Sequence, residues 1–542
     1  MIEEKDVQVT VRDGIKIGLR IYRPEGNGPF PALFAASPYR YDNNELPATP
    51  VFLWRETGPI EWYVAQGYAY VHMDVRGTGF SEGEYRFLDK KEQTDFYDVI
   101  EWVGTQSWCN GKVGGIGESY YCMTQWFMGI QNPPHLACLG AYDGLNDPYR
   151  FMGYPGGIEG NFLSYWFNSS VRGPNLYPTN GDHPRPLPHD VFYDVQTHPL
   201  YDDWWKERSA VEQLEKIKVP LFSIGVWAKL DLHCAGNILG YQKAQGPKKL
   251  FISGTANPFT AQMDFSKIEF HEKYLLPFYD FYLKGKQTGF DARPNVEYTV
   301  RNTGAVKACE AWPPAGGKAT SFYLSKGPTE SVTSLNDGAL SMEKPAGVAA
   351  STYAYPHPSW ALGVVAMGPQ GPDPARGVLT FTTAALEQDV EIAGDGKLVI
   401  YASSTRPEID FCVKISEQFA QAPDQRAKGL QPGYFIATKG WLRGSHIEKN
   451  EERSTAMSPY YKHDKSTPLT PGKIYRFEIA LQPIAYRFRK GNRIRVEIAN
   501  GDSPVTDALF AHIYRPDKMG SDTIHHDAEH PSELVLPVMP LE

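Results

Sequence analysis

Cysteine is scarce in this 542-residue chain: there are six, at positions 109, 122, 138, 234, 309 and 412, and none falls in a CxxC pair. That excludes a disulfide framework and a cysteine-built zinc site, and it reads as the reduced thiols of a cytoplasmic protein. No run of about 18 apolar residues occurs, so no spanning helix is expected. Basic residues are not in excess, since 54 Lys and Arg stand against 63 Asp and Glu for a net charge of -9. Neither nucleic acid nor a membrane surface is therefore an expected partner, because both reward clustered cations. Met1 to Asp6 offers neither a basic nor an apolar leader region. The glycine-rich Arg76-Gly-Thr-Gly79 lacks both the GxGxxG spacing and a Walker lysine. No phosphate loop follows, and no cofactor is expected. His525, His526 and His530 lack partner cysteines, so no metal is expected either.

What is present points to large globular cores: 42% hydrophobic and 13% aromatic residues. Val7 to Tyr22 alternates about the turn pair Asp13-Gly14 and predicts a hairpin. Pro31–Ala36, Tyr68–Met73 and Lys112–Gly117 read as buried strands, interleaved with helical patterns at Ile60–Gln66 and Lys90–Gln106. That rhythm predicts an α/β fold with a mostly parallel, doubly wound sheet. It stops near Pro148, resumes at Val219–Val226 and Lys249–Ser253, and closes with a helix over Phe265–Lys284. The interruption is rich in Tyr, Trp and Phe. It reads as a cap over the site, its aromatics either lining an apolar pocket, with Trp166 and Phe167 as candidates, or forming the cap's own core. Beyond it lie short strands with Gly, Pro and Asp turns, a β-sandwich pattern. Pro345 to Gly377 reads as a surface loop. The expected division is a core over 1–147 and 215–293, a cap insertion over 148–214, and an all-β jelly roll over 294–542.

One segment carries the chemistry. Gly114-Gly-Ile-Gly-Glu-Ser119-Tyr-Tyr-Cys122 follows a strand and leads into a helical run. Small residues around a serine at a strand-to-helix turn are what a nucleophile elbow needs. The turn is strained, lifts the hydroxyl above the sheet and aims a backbone N–H into the site.

Several segments, in order over nearly the whole chain, resemble the X-Pro dipeptidyl-peptidase and cocaine esterase (CocE/NonD-type) class of α/β-hydrolases, with the related α-amino-acid ester hydrolases and glutaryl acylases. They are Ser37-Pro38-Tyr39, Asp74 to Gly83, Asp98 to Trp102 with Trp108, Gly117 to Trp126, and Pro471-Gly472 with Phe488 to Arg495. The resemblance implies an α/β-hydrolase core, a helical cap and a C-terminal jelly roll. It also implies Ser119 as nucleophile, with the Tyr39 hydroxyl and the Tyr120 backbone N–H as oxyanion donors. Cys122 stands where the family usually has glycine, and no reactive role is expected for it. Gly225-Val-Trp-Ala-Lys-Leu-Asp231 resembles the segment that carries the triad acid, which makes Asp231 the candidate.

The expected triad histidine is missing. Its loop reads Ser253-Gly-Thr-Ala-Asn-Pro-Phe-Thr260, with Ala256 or Asn257 in its place, and no histidine occurs between His233 and His271. A serine without a base is a poor nucleophile. Three readings stay open. The base has been lost, by selection or by design; it is recruited from elsewhere, His233 being better placed than His271; or the oxyanion hole serves a lyase, an acyltransferase or a ligand-binding pseudoenzyme. The expectation is a serine hydrolase that cleaves a small-molecule ester or amide with Ser119, Asp231 and His233, in a chain that could form a homo-oligomer.

Overall fold

A computed structural model of the chain describes residues 1–45, 56–179, 181–254, 264–357, 365–502 and 515–541. Its first layer is a ten-stranded sheet: β1 (Ile2–Thr10), β2 (Lys16–Arg23), β3 (Phe30–Ser37), β4 (Ala69–Asp74), β5 (Cys109–Gly115), β6 (Leu136–Tyr142), β7 (Leu221–Val226), β8 (Lys248–Ser253), β9 (Val296–Thr299) and β10 (Val306–Cys309). The order across it is β1-β2-β4-β3-β5-β6-β7-β8-β9-β10. Strands β3 to β9 run parallel to their neighbours, while β1, β2 and β10 add antiparallel edges. The parallel strands are apolar on both faces because helices cover both. One of those helices, α1, spans Ile60–Ala65; α2 spans Lys90–Gly104 and buries Phe96, Val99, Ile100 and Val103; α3 spans Tyr120–Gln131.

The segment from Asp74 to Gly83 earns its place by tying these elements together. Buried Asp74 accepts the backbone N–H of Tyr41 (2.7 Å) and of Phe80 (3.0 Å). Arg76 joins Asp95 of α2 (2.6 Å) to Asp13 of the first hairpin (2.8 Å).

The sheet runs on past residue 293, since β9 extends it in parallel with β8 and β10 closes the edge at Cys309. The thirteen-stranded all-β sandwich begins only with Lys318–Ser325. Pro345–Gly377 is not all loop, because Ala350–Tyr355 pairs antiparallel with Gly520–His525. Its Ser-Thr-Tyr alternation was masked by flanking Pro and Gly. The sandwich core packs Phe411, Val413, Ile479, Phe488 and Val496, and Trp227 of the first layer reaches the same cluster. Among the described residues no helix is long and apolar enough to cross a membrane.

Residues 148–214 form short helical turns, including Phe162–Trp166, Val191–Thr197 and Asp203–Arg208. Asp190 and Asp202 cap the last two by accepting backbone N–H groups. Tyr149, Tyr154, Tyr201 and Trp205 pack against one another as this cap's own core. Asn175 docks the cap, donating to the Pro38 carbonyl (2.9 Å) and accepting from the Gly79 N–H (2.7 Å).

Candidate active site

Ser119 sits between β5 and α3 with φ +60° and ψ −118°, a region that a non-glycine residue occupies only when its surroundings force it. Its N–H donates to the Asp143 carbonyl at the end of β6 (2.9 Å), which fixes the turn. Two residues earlier, Gly117 has φ +127°, and a Cβ there would lie 2.4 Å from that of Tyr121. Across the elbow, a Cβ on Gly144 would lie 2.4 Å from the Cβ of Cys122. The missing side chain at 144 therefore makes room for the cysteine at 122. Burial pushes the Cys122 thiol well above its ordinary pKa, so it stays protonated and inert.

The Tyr39 hydroxyl faces the Ser119 hydroxyl, and its oxygen accepts from Trp166 Nε1 (2.9 Å). Tyr39 thus accepts from the indole and is hydrogen-bonded to Ser119, and its phenolic proton is the donor it can offer the site. Burial raises the Tyr39 pKa far enough to keep that proton in place. Among the described residues no acceptor meets the backbone N–H of Tyr120, the first residue of α3. Its side chain is committed elsewhere, donating to Glu92 (2.7 Å), which burial pushes up to about 8.

Behind the elbow lies a buried charge cluster. Lys229 Nζ bridges Glu118 Oε1 (2.5 Å) and Asp143 Oδ2 (2.8 Å), and His233 Nδ1 meets the same Asp143 oxygen at 3.3 Å. Burial lifts Glu118 to about 7 even though Lys229 pulls the other way. For Asp143 burial also pushes upward, but Lys229 and His233 outweigh it and hold the carboxyl below its ordinary range. His233 is lowered by burial, with Asp143 opposing and Lys229 reinforcing. It is thus a neutral imidazole at pH 7. With Nδ1 turned to a carboxylate, Nε2 is the nitrogen left for proton transfer.

This arrangement departs from the sequence expectation at the triad acid. Asp231 does not face His233, because its carboxylate pairs with Lys439 of the sandwich (2.8 Å). The two residues lie two apart on the π-helical turn Leu230–Cys234, where two steps are close to half a turn and point their side chains to opposite sides. The side chain that follows Trp227 into the site is that of Lys229, and the carboxylate on His233 is that of Asp143. Among the described residues, Phe167 belongs to the packed interior. It is fully buried and stacks on Tyr85, while Trp166 stacks on Tyr120. His271 is held by Tyr63 (2.8 Å) and the Phe265 carbonyl (2.5 Å) and is part of the core. Ala256 and Asn257 lie outside the described residues. Sequence reasoning missed Glu118, Asp143 and Lys229; the signal available was the charged pair Glu118 and Lys229, which follow β5 and β7, the two strands that flank the β6 leading to Asp143. Among the described residues no cluster of three or more His, Cys, Asp or Glu is placed to hold a metal.

An elbow serine between a parallel strand and a helix, roofed by an inserted helical cap and faced by a donor hydroxyl, defines a serine hydrolase of the α/β-hydrolase fold. Comparison narrows the class. Residues 13–256 match the X-Pro dipeptidyl-peptidase (S15 family) profile, and residues 288–535 match the X-Pro dipeptidyl-peptidase C-terminal non-catalytic domain. The chain belongs to this family. It is 26% identical to the cocaine esterase of Rhodococcus sp. (strain MB1 Bresler), over 98% of each chain. The crystal structure of a CocE/NonD family hydrolase from Staphylococcus aureus superposes with a TM-score of 0.81 at 27% identity, covering 99% of this chain and 94% of that one. An α-amino acid ester hydrolase shares the fold, with a TM-score of 0.72 at 20% identity over 99% of this chain and 96% of that one.

Proposed function

We propose that this protein hydrolyses an ester or amide of a small molecule through an acyl-enzyme on Ser119, with His233 as the base and Asp143 as the group that orients it. The observation that carries the reading is the elbow serine facing a Tyr39 hydroxyl whose oxygen is already satisfied by Trp166. In the first half-reaction the Ser119 proton passes to His233 Nε2 as Oγ attacks the carbonyl carbon. The oxygen of that carbonyl becomes an anion held by the Tyr39 hydroxyl and the Tyr120 N–H. Collapse breaks the ester or amide bond, and His233 returns the proton to the leaving alcohol or amine. Water then repeats the attack and releases the acid. Asp143 supports both roles: its carboxylate orients His233 while its backbone carbonyl anchors Ser119. Carboxylic esters are the favoured substrate class, in keeping with the cocaine esterase relative.

A fluorophosphonate probe tests the nucleophile, and a panel of p-nitrophenyl esters tests turnover. Labelling is expected on Ser119 and is lost in S119A. Removing the base in H233A is expected to slow both labelling and turnover by several orders of magnitude, as loss of a triad member does. Absence of labelling together with absence of ester turnover defeats the hydrolytic reading. Full activity in H233A defeats the assignment of the base alone.

A further inference from the structure

A cavity of about 580 Å³ opens where the cap, the helix Ala235–Lys243 and the sandwich meet. None of Ser119, Tyr39, Tyr120, Trp166 or His233 lines it. Its size lies in the range of small-molecule sites. Its wall is mixed: Phe151, Ile238, Leu481 and Pro483 give apolar surface, and Arg150 and Arg453 give charge.

The charges in this wall are unequal in kind. Arg150 is neutralised by Asp147 (2.7 Å) and donates to the Tyr461 carbonyl (2.8 Å), while Arg453 is neutralised by Glu212 (2.8 Å). Lys243 and Glu452 are exposed at the mouth. Asp395 differs from all of these. It occupies the turn between the strands Val390–Gly394 and Lys397–Ser404, beside Leu481, whose N–H donates to the Gly396 carbonyl (2.9 Å). Asp395 is half-buried and lines the cavity, and among the described residues no hydrogen-bond donor or cation meets its carboxylate. Burial alone pushes this carboxyl up to about 6, so at neutral pH it is ionised and uncompensated. A half-buried carboxylate with no cation beside it, set in a partly apolar wall, offers a ligand ammonium a charge-assisted hydrogen bond.

We propose that this cavity is a second binding site, separate from the Ser119 site, for a small organic ammonium ion with an apolar body, the ammonium meeting Asp395 and the body lying along Ile238, Leu481 and Phe151. A single carboxylate does not make a metal site, whereas one ammonium needs one carboxylate and tolerates an apolar surround. Both arginines are paired, and the other lysine or arginine of the described lining, Lys243, is exposed to solvent.

The test compares 2-phenylethylamine with its neutral near-isostere 2-phenylethanol, by isothermal titration calorimetry on the full chain. The amine is expected to bind saturably, and at least tenfold more tightly than the alcohol. D395N is expected to weaken the amine at least tenfold and leave the alcohol unchanged. Protein already blocked at Ser119 by a phosphonate is expected to bind the amine as before. I238W, which fills the cavity from the helix side, is expected to remove binding of both while ester turnover at Ser119 persists. Equal affinity for amine and alcohol, an unchanged amine affinity in D395N, or loss of binding on blocking Ser119 overturns the proposal.

Discussion

Replacing Lys229 with methionine separates a charge-based account of the site from a purely steric one. Among the described residues Lys229 is the only cation shared by Glu118 and Asp143, at 2.5 and 2.8 Å, and all three are buried. K229M keeps the length of the side chain and removes the charge, leaving two carboxylates facing each other without a counter-ion. Breaking a buried pair from one side costs about 3–5 kcal/mol. The sign of its pH dependence follows from both acids. In the parent, Asp143 is held below its ordinary pKa, a stabilisation present above the unfolded value and lost as pH falls. The variant loses that stabilisation and gains a raised carboxyl, whose contribution is present at low pH and lost as pH rises through its folded value. Glu118, already at about 7 beside the lysine, rises further without it. The penalty of K229M therefore grows with pH, by at most about 1.4 kcal/mol per pH unit for each proton involved. Urea unfolding at pH 5.5 and 8.5 measures it. The expected result is a loss of about 3–5 kcal/mol at pH 8.5 and a clearly smaller loss at pH 5.5, with K229M/E118Q recovering part of the deficit at the higher pH. A loss that is the same at both pH values, or that stays below about 1 kcal/mol, refutes the charge account.

Other consequences are simpler to state. Y39F removes one oxyanion donor and is expected to lower kcat by about 10²- to 10³-fold with little change in KM, read from steady-state ester hydrolysis. W166F leaves the Tyr39 oxygen without its indole donor; a smaller fall in kcat is expected, and the variant should still label with a phosphonate probe. E92Q removes a carboxyl raised from 4.5 to about 8 by burial. The parent carries stability from this group below pH 4.5 and loses it as pH rises through 8, so the Tm of the parent relative to E92Q should decline between pH 5 and 8.5.

The sheet was legible because its strands are apolar runs closed by Pro or Gly and its helices carry period-3.6 stripes, as in Phe96, Val99, Ile100 and Val103. Ser119 was legible for a local reason, since an elbow needs small neighbours on both sides of one hydroxyl. The partners of that serine were not, because they are set by which ends of which strands lie side by side. Asp143 follows β6, a strand whose Leu-Ala-Cys-Leu-Gly-Ala-Tyr composition carries little β signal of its own. Asp231 and Lys229 are equally polar in sequence, and only the phase of the turn after Trp227 decides which one faces inward. The placement of Phe167 was also a matter of phase: it lies one position past Trp166 and stacks on Tyr85, while Trp166 stacks on Tyr120.

That phase has a chemical consequence for the base. Lys229 stands on the same Asp143 oxygen as His233, so it competes for the carboxylate that would stabilise the imidazolium. Burial and Lys229 both lower the His233 pKa, and Asp143 offsets them only in part. Each unit of lowering removes about 1.4 kcal/mol of driving force for taking the serine proton. The site is thus built with a base that is neutral over a wide pH range but weak. If His233 is that base, the ascending limb of kcat/KM against pH belongs to its deprotonation and should lie below pH 6.5. K229M lifts one of the two lowering influences, so in that variant the limb should move to higher pH, while D143N removes the raising influence and should move it lower. Glu118 feels the same two neighbours with the same signs, so opposite displacements that persist in an E118Q background identify the titrating group as His233. A limb that stays in place in both variants assigns it to some other residue.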